Sequence, residues 1–260
     1  MAGPPVPALE SRLAQCRNVV TLGVRPNFSD YSEAEAELLR GAEKIYYPST
    51  HYADMFAAMG KQIFPSAHTY RFVQDKIKQT TLFQLLGVPI PRTRFFYGRR
   101  KREKILQYFD FPFVAKIARG SALGRGVYLI ENREDLDRYC ESATVAYIQA
   151  YLPVDRDVRV VVIGERVRHS YWRIGEPGEF RNNVEQGGHI SFSPVPAEAV
   201  RLARETARRC GWDDVGMDIC IYKGRPYVLE ANMKYGKQGF HKAGMDYVKL
   251  MEEMIDNGEI

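Results

Sequence analysis

Cysteine is scarce: four residues in 260, at Cys16, Cys140, Cys210 and Cys220. No CxxC pair exists and no histidine stands at zinc-finger spacing, so neither a zinc module nor a thiol-redox motif is expected. In a chain of this length four scattered cysteines read as reduced, buried thiols of a cytoplasmic protein. No apolar run approaches the roughly 18 residues that span a bilayer, so a membrane is not an expected partner. Residues 1–10 lack the basic stretch and apolar core of a secretory signal and read as a frayed, proline-rich lead-in. There is no GxxxxGK[ST] loop, no GxGxxG entering a helix, and no Ser/His/Asp or Cys/His constellation. P-loop, dinucleotide-fold and nucleophile-based chemistries are therefore not indicated. Internal repeats and low-complexity tracts are also missing.

What is present is an ordinary soluble composition, 45% hydrophobic and 27% charged, which excludes collagen, coiled coil and a disordered chain. The length allows one large domain or two to three small ones. The net charge of +5 leaves room for an anionic ligand. The densest basic cluster, Arg99 to Lys104, reads as a solvated turn leading into a helix. No aromatic platform interleaves its charges, so nucleic acid is not an expected partner.

The first third alternates strand and helix. Val19 to Gly23 reads as a strand ending at a glycine turn. Ser32 and Glu35 have capping-box spacing at the start of a helix that Gly41 caps. Lys44 to Pro48 reads as a strand, and residues 51–59 as a helix ended by Gly60. Together these give a small parallel βαβ unit. Ser66 to Gly87 reads as one helical stretch, stopped by Gly87 and an extended Val88-Pro89-Ile90-Pro91 exit. Strands are expected at Phe113–Ile117, Val127–Ile130 and Tyr147–Leu152, with a glycine-rich loop at 119–126 and a helix from Glu134. A hairpin turning at Gly164-Glu165 joins Val158–Ile163 to Arg166–Ile174. An amphipathic helix is expected from Pro196 to Cys210, and a last one from about Met245 to Ile255.

A second hairpin carries the sharpest chemical signal. With a three-residue loop at 223–225, Asp218 of one strand faces Glu230 of the other, and the period of two puts Asn232 on the same face. Two opposed carboxylates repel. A hard divalent cation such as magnesium would resolve that, and Asp, Glu and Asn oxygens suit it. The same residues would equally form a solvent-exposed acidic face, and the hairpin alone leaves both readings open. Gly120, Gly124 and Gly126 free backbone amides to approach an anion, and Lys116 just before them could reach a phosphate. Arg159 and Arg181 could clamp carboxylate or phosphate oxygens, and Gly187-Gly188 would let backbone approach a ligand. Taken singly, each arginine reads more simply as a surface ion pair.

In their order, these segments resemble the ATP-grasp superfamily and, within it, the RimK-type carboxylate–amine ligases. The resemblance covers roughly residues 72–240. It rests on Asp75-Lys76 opening a helix that ends in Leu86-Gly87-Val88-Pro89-Ile90-Pro91, on Phe113-Val114-Ala115-Lys116 before the glycine loop, and on Gln149-Ala150-Tyr151-Leu152 before Asp157-Val158-Arg159. It continues through Phe180-Arg181-Asn182-Asn183 with Gly187-Gly188, and closes on Gly216-Met217-Asp218 and Val228-Leu229-Glu230-Ala231-Asn232.

The resemblance implies an α+β fold in three parts: a pre-ATP-grasp domain (1–75), a lid subdomain (76–152) and a C-terminal catalytic subdomain (153–260). It implies that Lys76 and Lys116 hold the phosphates of ATP under a lid of Gly120, Gly124 and Gly126. Gln149, Ala150, Tyr151 and Leu152 would read the adenine edge, and Asp157 would bond the ribose. Asp218, Glu230 and Asn232 would hold two magnesium ions, or manganese. Arg159 and Arg181 would stabilise the transferred phosphoryl group, with Asn183, Gly187 and Gly188 at the substrate. The activity implied is ligation of a carboxylate to an amine through an acylphosphate, on an amino acid or peptide, and a homo-oligomer is compatible with it. A kinase of the same fold and a non-catalytic nucleotide-binding module are the alternatives. Two departures stand out. Ala150 occupies a position where many relatives carry an acid. Met233 to Phe240 replaces the small residues usual after Asn232, and its Lys234 or Lys237 would attract an anionic substrate group.

Overall fold

The computed structural model describes residues 5–120, 126–176 and 188–260. Three sheets organise them. The first is parallel, in the order β2-β1-β3-β4, with β1 (Val6–Ala8), β2 (Val19–Thr21), β3 (Lys44–Tyr46) and β4 (Gln62–Phe64). The lead-in expected at the N-terminus is thus corrected: Val6–Ala8 is an inner strand, and Ala8 and Leu9 are buried. Pro7 disguises it, since a residue without an amide proton argues against an inner strand. The sheet tolerates it because the ladder to β3 registers only at Ala8↔Tyr46. β4 was also unforeseen.

Between these strands lie α1 (Glu33–Gly41) and α2 (Ser49–Ala58). The capping box forms as read: the Glu35 amide donates to Ser32 Oγ and the Ser32 amide to Glu35 Oε2. Gly41 is the last helical residue rather than the cap; Ala42 turns extended and leads straight into β3.

The stretch from Ser66 to Gly87 is two helices, α3 (Ala67–Tyr70) and α4 (Lys76–Leu85). Gln74 takes a positive φ of 54°, and the Asp75 carboxylate accepts from the Lys78 amide, so α4 has its own start. Gly87 ends it with φ 63°.

The second sheet is antiparallel, in the order β5-β8-β6-β7. Its strands are β5 (Thr93–Phe96), β6 (Phe113–Lys116), β7 (Val127–Ile130) and β8 (Ala146–Ala150). β5 was not foreseen, since it directly follows the Pro-rich exit. α5 (Lys101–Leu106) and α6 (Arg133–Ser142) cover one face around Ile105, Phe113, Ile130, Leu136 and Ile148. The basic cluster opens α5, as expected of a solvated turn, and Arg102 pairs with Asp137 of α6.

The third sheet, β11-β10-β9-β12-β13, is antiparallel throughout. It comprises β9 (Arg156–Ile163), β10 (Arg166–Ile174), β11 (His189–Ser191), β12 (Asp214–Tyr222) and β13 (Arg225–Asn232). Val158, Val160, Val162, Val215, Met217 and Ile219 pack on one face against Ala199, Ala203 and Ala207 of α7 (Ala197–Cys210), with Phe83 of α4 in the same core. Val161 and Ile163 face the other way. They join Met251 and Met254 of α9 (Tyr247–Asp256), Phe240 of α8 (Gln238–Lys242), and Tyr46, Tyr47 and Phe64 of the first sheet. That shared apolar layer fixes the parallel sheet against the C-terminal one. The four cysteines are buried free thiols. Among the described residues no helix is long and apolar enough to cross a membrane.

Candidate functional site

The β12–β13 hairpin pairs Asp218 with Glu230 as the sequence suggests, but by a different route. The loop has two residues, Lys223 and Gly224, both with positive φ (49° and 72°), and Tyr222 pairs with Arg225. Positive φ at both loop positions matches the right-handed twist of the strands. A straight ladder from that turn would oppose Asp218 to Leu229. A one-residue shift between Asp218 and Ile219 restores Glu230 opposite Asp218 and Asn232 opposite Gly216. Asn232 Nδ2 donates to Asp218 Oδ2 at 3.3 Å.

A row of charge crosses the sheet from this point. Asp218 pairs in register with Arg159 of β9, and Asp157 of β9 with Arg173 of β10. Arg159 holds Asp218 through Nε–Oδ1 (2.5 Å) and Nη2–Oδ2 (3.2 Å). Arg173 reaches both acids, Nη2 to Asp218 Oδ2 at 2.8 Å and Nε to Asp157 Oδ1 at 2.8 Å. All four side chains are buried, so each charge depends on its partners. Burial alone would raise the Asp218 pKa, but Arg159 and Arg173 outweigh it and hold the carboxyl below its usual value. For Asp157 burial wins over Arg173 and the pKa is raised. The Arg173 pKa, which burial lowers, is carried upward by Asp157 and Asp218.

Arg173 is the functional residue that sequence reasoning missed. A uniform hairpin from Gly164-Glu165 opposes Asp157 to Trp172; the bulge between Val167 and His169 advances the register by one and brings Arg173 there instead. The signal available was a lone arginine among aromatic and apolar residues at 171–174, too little without the bulge.

Two lysines arrive from other elements. Lys76, at the first position of α4, puts Nζ 2.9 Å from Glu230 Oε1. Lys116, the last residue of β6, points Nζ to the Leu229 carbonyl at 3.4 Å. Burial lowers the Lys116 pKa, and nearby Lys76 adds to that against the pull of Glu230. Lys116, Gln149, Asp157, Arg173, Asp218 and Glu230 line a cavity of ≈ 110 Å³ between the second and third sheets.

Gln149, Ala150, Tyr151 and Leu152 all line that cavity. The Ala150 amide donates to the Arg92 carbonyl (2.8 Å), and the Gln149 side chain donates to Thr93 Oγ1 (3.0 Å). Tyr151 and Leu152 continue past the end of β8 along the same cavity. Gly120 and Gly126 flank the glycine loop with φ of 67° and 76°. At Gly126 any Cβ would meet Ile117 at 2.8 Å. Gly124, Arg181, Asn183 and Gly187 lie outside the described residues; Gly188 immediately precedes β11. Lys234 and Lys237 do not reach the charge cluster. Lys234 Nζ pairs with Glu10 (2.9 Å), and Lys237 Nζ donates to the Arg12 carbonyl (3.0 Å).

The donor chemistry suits a hard divalent cation. Asp218, Glu230 and Asn232 offer oxygen ligands from paired strands. Among the described residues no group of three or more His, Cys, Asp and Glu could hold a metal ion; this set supplies two carboxylates and one amide. Its carboxylates are balanced by Arg159, Arg173 and Lys76.

Comparison with known proteins places the chain in a family. The model of the RimK-like ATP-grasp domain matches residues 73–256. A protein of Alkalilimnicola ehrlichii named "Probable alpha-L-glutamate ligase" is 30% identical over 210 residues, covering 78% of this chain and 69% of that one. A protein of the same name from Parasynechococcus marenigrum is 29% identical over 211 residues, covering 77% of this chain; the match spans 45% of that longer relative. Among solved structures, the RimK domain ATP-grasp protein of Sphaerobacter thermophilus superposes with a TM-score of 0.71 at 18% identity, covering 96% of this chain and 98% of that one. The D-alanine–D-alanine ligase of Bacillus anthracis gives 0.71 at 12% identity, with 98% and 97% covered. These two likenesses concern the fold, which is that of ATP-grasp proteins. The matched region takes in the lysines, the cross-sheet arginines and the opposed carboxylates, and the chain belongs to the RimK-like ATP-grasp family.

Proposed function

We propose that the chain joins a carboxylate to an amine at the expense of ATP and magnesium, through an acylphosphate, on an amino acid or peptide. The observation that carries this reading is the convergence of Lys76 and Lys116 on the Asp218–Glu230 pair at a cavity between two sheets. The names of the relatives support it.

Lys76 and Lys116 hold the phosphates, Tyr151 and Leu152 present backbone to the adenine edge, and Asp157 lies on the ribose side. Gly120, Gly124 and Gly126 form the cover. Asp218, Glu230 and Asn232 are the magnesium ligands, and manganese would fit the same oxygens. When bound, magnesium supplies charge neutralisation between the phosphates. Arg159, with Arg181, stabilises the charge that develops on the phosphoryl group in flight, and Arg173 keeps Asp218 ionised and Asp157 in place. An oxygen of the substrate carboxylate attacks the γ-phosphorus and ADP leaves. The amine nitrogen then attacks the activated carbonyl carbon, phosphate departs, and the nitrogen gives up a proton. No side-chain nucleophile is required.

A screen of ADP release across amino acids, dipeptides and small di-acids tests this. Release is expected only when a carboxylate and an amine are both present. ADP formation that needs no amine and yields a stable phosphorylated product would overturn the ligase reading in favour of a kinase.

A further inference from the structure

The chain leaves the carboxylate pair at Asn232, and the next two residues, Met233 and Lys234, line a second cavity of ≈ 260 Å³. Its opposite wall is built from segments that follow the carboxyl ends of parallel strands: Glu10 to Arg12 after β1, Tyr47 after β3, and Pro65 after β4. Parallel open sheets bind ligands at that end of their strands.

The charge on the wall is unbalanced. Arg12, Lys234 and Lys237 are cationic and Glu10 is the acid facing them. Glu10 is engaged by Lys234 at 2.9 Å. Among the described residues neither Arg12 nor Lys237 forms an ion pair. Arg12 donates to the Tyr235 carbonyl (2.8 Å) and the Tyr247 hydroxyl (3.0 Å), and its Nη2 is buried with no acceptor among the described residues. Lys237 is half-buried, its ammonium on the Arg12 carbonyl and over the Tyr247 ring at 4.9 Å. Asp214 offsets part of the charge on Arg12, while no acid among the described residues pairs with the half-buried Lys237, so a ligand anion would complete the charge balance there. Tyr47, Val73 and Met233 add a wall for a short carbon chain.

We infer that this cavity seats the non-reacting carboxylate of the substrate, with Arg12 and Lys237 as the residues that select for it. The inference rests on the ligase reading for the word substrate, and on the cavity alone for the anion. The Glu10–Lys234 pair tempers the positive field at the rim, so removing Glu10 strengthens anion binding.

Calorimetric titration of the full chain with glutarate, its uncharged isostere glutaramide, and inorganic phosphate tests this, with the magnesium complex of AMP-PNP titrated separately. Glutarate is expected to bind at least tenfold more tightly than glutaramide and more tightly than phosphate. Lys237→Met should weaken glutarate at least fivefold without changing AMP-PNP affinity, and Lys237→Arg should restore it. Glu10→Gln should tighten glutarate. Equal binding of glutarate and glutaramide, preference for phosphate, or an unchanged Lys237→Met would overturn the inference. If AMP-PNP binds and glutarate does not, the cavity assignment fails while the ligase reading stands. If glutarate behaves as expected and AMP-PNP does not bind, the anion seat stands and the ligase reading fails.

Discussion

Arg173 decides how the charge cluster survives burial. It is bonded to Asp157 and Asp218 together, and both acids are buried. Arg173→Met is expected to cost about 3–5 kcal/mol, because it strands the buried Asp157 carboxylate rather than merely deleting a contact, while Asp218 keeps Arg159. The urea midpoint reads this, and adding Asp157→Asn to the same chain should recover part of the loss. Asp214 is a second buried acid, held by the hydroxyls of Tyr47 (2.8 Å) and Tyr235 (2.6 Å). Burial pushes its pKa up from 3.8 to about 6, against the pull of Arg12 and the two tyrosines. The folded state thus favours the protonated form. The stability this contributes is fully present below about pH 4, is lost as the pH rises to about 6, and is absent above that. Asp214→Asn should remove that component of the slope, seen as a flatter stability–pH curve over the window than in the parent chain. Equal slopes in the two proteins would contradict the assignment.

At the scale of elements, β12 has two unlike faces. One face buries Val215, Met217 and Ile219 against α7; the other carries Asp214, Gly216 and Asp218 in succession. Gly216 stands between the acids. A Cβ there would lie 2.9 Å from Tyr235 Cβ and 3.2 Å from Arg159 Cδ. Gly216→Ala should therefore shift Arg159 and lower kcat by one to two orders of magnitude, with a smaller effect on thermal stability. An unchanged kcat would show that this close approach is slack.

The same hairpin shows what was legible in the sequence. The residue types and their order were readable, and so was the face they share. The two-residue loop and the compensating bulge were not, because register depends on a single irregular residue. The β9–β10 bulge hid Arg173 for the same reason. β1 escaped because Pro7 breaks strand propensity, and β4 and β5 because three or four residues carry too little pattern to be separated from loops. The capping box at Ser32 and Glu35 was readable because its chemistry is local.

At the scale of the molecule, the parallel sheet packs on the face of the C-terminal sheet opposite α7, through Tyr46, Tyr47 and Phe64 against Val161 and Ile163. The second sheet reaches the same centre from another side through Lys116. Each sheet thus contributes a different set of groups: Lys116 from the second sheet, carboxylates and arginines from the C-terminal sheet, and Glu10 to Arg12, Tyr47 and Pro65 beside the second cavity from the first. Under the proposed function, that division would give each half of the reaction its own surface. Under the proposed function, part of the chain's charge of +5 would face the anions of a nucleotide and a carboxylate. The measurement that bears most directly on this reaction is isotope transfer. With ¹⁸O in the substrate carboxylate, phosphoryl transfer followed by amine attack must leave one labelled oxygen in each inorganic phosphate released, and Glu230→Ala should release none. Phosphate carrying no label during amide formation would contradict the acylphosphate route.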